Sequence, residues 1–132
     1  MNDARHGVRV IISCTEDVVD ARQKGRELAS ASGFSPSEAT LIAAAISELA
    51  RNIVKYAGRG EVAIRNGGDG TLLVVASDSG PGIPDTQAAL RPGYSTSGGL
   101  GLGLPGVRRI ADRFEIVSGS KGTIVTLEMR KR

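Results

Sequence analysis

Gly98-Gly99-Leu100-Gly101-Leu102-Gly103-Leu104-Pro105-Gly106 is the stretch on which the reading of this chain turns. Glycine loses more backbone entropy on ordering than any other residue, so a run this dense implies close approach to a ligand, or movement. Behind it, Leu104, Val107, Ile110 and Ala111 predict an amphipathic helix that starts at Pro105. A helix start offers free N–H groups and the positive end of a dipole, which suits an anion and above all a phosphate. Gly101-Leu102-Gly103-Leu104-Pro105-Gly106 also spells the dinucleotide fingerprint, but that fold needs its glycines directly after the first strand. Here the polar segment Arg91-Pro92-Gly93-Tyr94-Ser95-Thr96-Ser97 comes first, with the small polar composition of a movable lid. A Walker A sequence and the HRD and DFG motifs of eukaryotic-type kinases are missing. The phosphate site these glycines suggest is therefore of another kind.

Upstream, Leu72-Leu73-Val74-Val75-Ala76 predicts a central, well-covered strand from Thr71 to Ser77. It runs into Asp78-Ser79-Gly80-Pro81-Gly82-Ile83-Pro84, a carboxylate at a strand end beside two glycines and two prolines. Such a loop is rigid and lets backbone lie close to a planar ligand; a plain turn does not need both Gly80 and Gly82. Asn66-Gly67-Gly68-Asp69-Gly70 signals a hairpin back to a strand from Glu61 to Arg65. Between Ile83 and the glycine run, Asp85 to Leu90 reads as a short helix.

The best specified helix begins at Ser35-Pro36-Ser37-Glu38, a capping box with proline at the first helical position, and stops before Gly58. Leu41, Ile42, Ala45, Ile46, Leu49, Ile53 and Tyr56 form its apolar stripe. Glu48 and Asn52 stand four apart on one face, with Arg51 and Lys55 beside them. Taken in isolation, that quartet reads as an ordinary solvated face.

Val8, Val10 and Ile12 predict a first strand, and Thr15 an N-cap for a helix through Val18, Ala21, Leu28 and Ala29 that ends at Gly33. Cys14, the single cysteine, reads as a buried strand thiol without function, and His6 as an exposed spectator. Phe114 to Ser118 and Thr123 to Met129 are the last two strands, turned at Gly119-Ser120-Lys121-Gly122. The order of elements predicts an α+β two-layer sandwich: a mixed, about five-stranded sheet with helices on one face, in a single domain over residues 1–132. Hydrophobic residues make up 40% of the chain and aromatics 3%, so the core is built from Val, Ile, Leu and Ala. No apolar run approaches the roughly 20 residues of a membrane span, and no signal-peptide pattern opens the chain. A soluble, cytoplasmic protein is expected. The net charge of +3, with a basic Arg130-Lys131-Arg132, does not amount to a nucleic-acid site, since no helix carries a basic face interleaved with aromatics.

Glu48-x-x-x-Asn52, Asp78-x-Gly80-x-Gly82, the run Gly98 to Gly103 and Gly122-Thr123 occur in a fixed order. Together they resemble the N, G1, G2 and G3 boxes of the Bergerat ATP-binding fold, shared by gyrase, the heat-shock chaperone ATPase, mismatch-repair ATPases and histidine kinases. Within that group, Ile46-Ser47-Glu48-Leu49-Ala50-Arg51-Asn52-Ile53 and Gly93-Tyr94-Ser95-Thr96-Ser97-Gly98-Gly99-Leu100-Gly101 resemble the RsbT-type switch kinases of the bacterial stressosome.

The resemblance implies a set of roles. Asp78 accepts a hydrogen bond from the adenine amino group, Gly80 and Gly82 bring backbone to the base, and Thr123 supports it. Asn52 holds Mg²⁺ and Lys55 faces the phosphates. Gly99, Leu100, Gly101, Leu102 and Gly103 wrap the phosphates, and Gly93, Ser95, Thr96, Ser97 and Gly98 belong to the ATP lid. Glu48 is the general base toward a substrate hydroxyl. Tyr56 stands where several relatives have histidine, so no catalytic role falls there. The implied activity is a Mg-ATP-dependent serine/threonine kinase that phosphorylates STAS-domain scaffold and antagonist proteins, then activates a downstream phosphatase or cyclase. Two alternatives keep the fold: an anti-sigma factor kinase, and an ATP-binding regulatory module without transfer.

Overall fold

The computed structural model describes residues 7–82 and 103–132. Along these the chain forms β1 (Gly7–Ile12), α1 (Thr15–Ala31), α2 (Pro36–Tyr56), β2 (Gly60–Asn66) and β3 (Thr71–Asp78), then α3 (Gly103–Ile110), β4 (Arg113–Gly119) and β5 (Gly122–Arg130). The expected short helix at Asp85 to Leu90 lies outside the described residues.

The strands form one sheet in the order β1-β2-β3-β5-β4. Every pairing in it is antiparallel, not mixed as the element order suggested. The reason is topological. Two helices separate β1 from β2, and a helical hairpin returns the chain reversed. β3 and β4 do run parallel, as a single crossover through α3 requires, but β5 is inserted between them.

Strand alternation sends Val10, Ile12, Val62, Ile64, Leu72, Val74, Ala76, Val125, Leu127 and Met129 to one face, where all are buried beneath the helices. α2 lies at the centre of that layer. Its start is fixed by the capping box: Ser35 Oγ accepts the Glu38 N–H at 3.2 Å, and Glu38 Oε1 accepts the Ser35 N–H at 2.8 Å. Ile42, Ala45, Ile46, Leu49 and Ile53 are buried as the stripe predicts, and Tyr56 is half-buried, whereas Leu41 remains 45% exposed on the outer side.

The start of α1 differs from the expectation. Cys14, not Thr15, occupies the N-cap, in extended conformation and without a side-chain cap; Thr15 is the first helical residue. Cys14 is exposed rather than buried, because β1 ends two residues before it.

The basic end of the chain is clasped rather than free. The Lys131 N–H donates to the Gly70 carbonyl at 2.8 Å, and the Arg132 N–H donates to Glu38 Oε2 at 2.8 Å. Asp112 accepts the Arg130 N–H at 2.6 Å and the Arg132 guanidinium at 2.8 Å. The backbone N–H of Ser35, then that of Arg132, holds the Glu38 carboxyl below its ordinary range. Partial burial pushes Asp112 up, but the bonds from Arg132 and Arg130 outweigh it and leave Asp112 low as well.

Candidate functional site

The register gathers the predicted base-recognition residues at one end of the sheet. Asp78 lies opposite Gly60 on one side and Thr123 on the other, and Thr123 lies opposite Ser118. These residues alternate in phase with Val74, Val125 and Ile116, so their side chains turn toward the helical layer. Asp78 is half-buried, and its Oδ1 accepts the Gly80 N–H at 2.9 Å. Its Oδ2 accepts no hydrogen bond among the described residues, which leaves an acceptor facing the site. Thr123 is buried and its hydroxyl lies 2.7 Å from that of Ser118.

Backbone contacts fix the loop after Asp78. A Cβ on Gly80 would come within 2.5 Å of the Ala57 Cβ, so the loop is pressed against the end of α2. Gly82 has φ +89°, and a Cβ there would run into the carbonyl of Gly119. The loop is therefore wedged between the C-terminal end of α2 and the β4–β5 turn.

α2 contributes the second half of the site. Glu48 is only 2% exposed, so the solvated-face reading of the quartet fails. Its Oε2 accepts from Arg51 Nη1 at 2.6 Å, while the Arg51 side chain stays 48% exposed. Asn52 is half-buried one turn further on, and Lys55 is exposed, with Nζ 5.2 Å from the Tyr56 ring centroid. Glu48, Asn52 and Lys55 share one cavity of about 390 Å³ between α1 and α2. Asp78 and Gly80 line a different hollow, with Ala57 and Gly60. The two groups meet where Gly80 abuts Ala57 and the Tyr56 carbonyl.

Gly103 is the first residue of α3, buried, with φ +67°. The helix thus starts two residues before the predicted Pro105, which occupies a first-turn position where no N–H is needed. The other residues expected at the phosphates, Gly99, Leu100, Gly101 and Leu102, and those expected in the lid, Gly93, Ser95, Thr96, Ser97 and Gly98, lie outside the described residues.

Three residues at this end were not anticipated. Ala57 seats Gly80, Gly119 seats Gly82, and Ser118 pairs with Thr123. Ser118 was legible in principle, since a four-residue turn sets it opposite Thr123. Ala57 had no signal beyond its smallness.

Glu48 and Asn52, with no cluster of three or more His, Cys, Asp or Glu among the described residues, do not make a self-sufficient metal cage. They fit an ion such as Mg²⁺, which takes one or two protein oxygens and fills its shell from phosphates and water.

Residues 13–129 match the histidine kinase-like ATPase domain. Over 105 residues the chain is 50% identical to serine/threonine-protein kinase RsbT of Bacillus subtilis, covering 77% of this chain and 79% of that protein. Its fold matches that of the RsbU and RsbW domains of Rv1364c from Mycobacterium tuberculosis, with a TM-score of 0.70 at 21% identity. That match covers 94% of this chain and 32% of the other, so the chain spans about a third of that neighbour's length. The chain belongs to the histidine kinase-like ATPase domain family, whose members use ATP. Within it, the chain is of the RsbT serine/threonine kinase type. No helix among the described residues is long and apolar enough to cross a membrane.

Proposed function

We propose that this chain acts as one domain, a Mg-ATP-dependent protein serine/threonine kinase that phosphorylates STAS-domain scaffold and antagonist proteins. The observation that carries the proposal is the near-complete burial of Glu48, one helical turn from Asn52, on the helix whose end seats the Asp78 loop. A carboxylate is costly to bury, and its retention beside a metal-type amide favours a role in chemistry. Asp78 Oδ2 receives the adenine amino group, with Thr123 and Ser118 supporting the base through their paired hydroxyls. A base without that amino group leaves the acceptor unpaired and is rejected.

Asn52 holds Mg²⁺, which neutralises phosphate charge when bound. Lys55 faces the phosphates, and Gly103, with Gly99, Leu100, Gly101 and Leu102 before it, supplies N–H donors to them. Glu48 orients the acceptor hydroxyl and takes its proton as the oxygen bonds to the γ-phosphorus. The bond from that phosphorus to the β–γ bridging oxygen breaks, and its electron pair leaves with ADP. Because the transition state is loose, positioning and charge neutralisation contribute more than proton removal. Release from the phosphorylated partner would then free the kinase to activate a phosphatase or cyclase, in the cytoplasm.

Incubation with Mg-ATP labelled at the γ-phosphate and a STAS-domain protein tests this. Acid-stable label on the partner is the expected result; acid-labile label indicates histidine. ATP binding without transfer would refute the kinase reading and leave a regulatory module. Glu48→Ala should reduce transfer far more than ATP binding, whereas Asp78→Asn should chiefly impair binding.

A further inference from the structure

The segment Arg130-Lys131-Arg132 touches one end of each helix. Lys131 Nζ donates to the Ser32 carbonyl at 3.3 Å, at the C-cap of α1. The Arg132 N–H donates to Glu38 Oε2, in the first turn of α2, at 2.8 Å. The Arg132 guanidinium and the Arg130 N–H occupy the two carboxylate oxygens of Asp112, just past the end of α3 at Ile110. The first two contacts are ordinary helix-end bonds, but Asp112 is in an unfavourable place. A carboxylate beyond a helix C-terminus meets the negative end of the dipole, and the Asp112 side chain is only 21% exposed. Charge-assisted hydrogen bonds are the stronger kind, and these two offset both penalties only while Asp112 stays beside Arg132.

The same bonds set the height of α3 on α2. The two helices pack together and run in opposite directions. α2 starts with Glu38 beside Arg132 and ends with Ala57 against Gly80, whereas α3 ends with Asp112 beside Arg132. Helical rise from Asp112 back to Gly103 is about 13 Å, and from Glu38 to Glu48 about 15 Å, so Gly103 stands level with Glu48 and one turn short of Asn52. We infer that Asp112 and Arg132 are positioning residues for the nucleotide phosphates: their bond fixes how far along α2 the start of α3 stands, and so where the N–H groups at Gly103 meet a nucleotide held by Asn52. The inference rests on the reading of Gly103 and Asn52 as phosphate-side groups. α3 depends on such an anchor, because eight residues are too few for a helix to be stable alone and only Leu104 and Val107 give it buried side chains.

Equilibrium binding of ATP and of adenosine to the full chain, well below Tm, tests this. Adenosine carries the amino group that Asp78 receives but no phosphate, so it reports general damage to the site. Arg132→Ala should raise the ATP Kd about threefold, and Asp112→Ala, which removes both bonds, about tenfold, while the adenosine Kd stays within about twofold. The double variant should be no worse than Asp112→Ala alone, because the bond lost with Arg132 is already gone. Ser35→Ala is the control: it loosens the same end of α2, leaves the Asp112–Arg132 bond in place, and should change neither affinity. Equal effects of the Asp112 and Arg132 variants on ATP and adenosine, or no effect on either, would make the pair structural only and overturn the inference. A loss of ATP affinity in Ser35→Ala as large as in Asp112→Ala would assign the effect to stability and overturn it too. Wild-type protein that binds ATP no tighter than adenosine would remove the phosphate-side reading of Gly103 and the inference with it. Wild-type protein that binds as expected but transfers no label to a STAS-domain acceptor fails the kinase reading, and the binding comparison still decides the role of Asp112 and Arg132.

Discussion

Replacing Glu48 by glutamine should make the protein more stable and nearly inactive at once. The Glu48 side chain is 3% exposed, and Arg51 Nη1, at 2.6 Å, is its one charged partner among the described residues. A hydrogen bond between charged groups contributes about 1.5–3 kcal/mol, whereas desolvating a carboxylate costs several kcal/mol even after relaxation. Removing one partner of a buried pair usually destabilises strongly, because the other charge is stranded. Here the other charge is not stranded: the Arg51 side chain is 48% exposed and returns to water. Glutamine keeps the volume and still offers an amide oxygen to Arg51. The expected balance is a gain of roughly 1–2 kcal/mol, or a rise in Tm of about 4–7 °C for a domain of this size. Phosphate transfer should fall by about 10²–10⁴-fold, the usual worth of a positioned general base. Thermal unfolding followed by circular dichroism at pH 7 without nucleotide gives the first quantity, and labelled transfer to a STAS-domain acceptor the second. A lower Tm would refute the claim that the carboxylate is kept at the expense of the fold. Transfer within a few-fold of wild type would refute its role as base.

Gly82→Ala combines a positive φ with a Cβ driven into the Gly119 carbonyl, so urea unfolding should show a loss of about 2–4 kcal/mol, accompanied by weaker ATP binding. An unchanged ATP affinity would mean that the loop after Asp78 is not held by the β4–β5 turn. Ser35→Ala removes the hydroxyl that caps α2 and should cost about 1 kcal/mol in the same assay. It should leave transfer by the folded protein intact, because the cap lies at the opposite end of the helix from Asn52. Glu38 and Asp112 both sit below their ordinary pKa in the folded protein, so their contribution is complete above the unfolded carboxylate range, about pH 4–5, and is lost as pH falls through the lower folded values. Tm should therefore drop between about pH 5 and pH 3, and Arg132→Ala, which removes the guanidinium bound to Asp112 but keeps the N–H that Glu38 accepts, should make that drop shallower; an identical slope in the variant would show that the Arg132 guanidinium does not hold Asp112 low.

Much of the fold was legible because local chemistry and burial agree. The capping box Ser35–Glu38, the Asn66–Gly70 hairpin and the period-two pattern of Val8, Val10 and Ile12 each appear where the sequence sets them. The strand directions were not legible, because they depend on β5 slipping between β3 and β4, and no local pattern encodes neighbours distant in sequence. Cys14 was misplaced for a simpler reason: an apolar-looking residue after a strand gives no sign that the strand has ended. For the candidate site, Asp78, Thr123, Glu48 and Asn52 were singled out by the family resemblance of their motifs, but the burial of Glu48 was not legible. Its neighbours Arg51 and Lys55 are exposed, and helical periodicity cannot show which member of a polar quartet the fold turns inward.

The placement of Asp78 opposite Thr123 also bears on how the protein comes to be folded. The β2–β3 and β4–β5 pairs are local hairpins and can close early, but the β3–β5 ladder joins strands on either side of α3 and has to wait for a long loop to close. The proposed adenine site is split across that late seam. A half-assembled chain therefore presents no nucleotide pocket, and nucleotide in the cell stabilises only molecules that have completed the sheet.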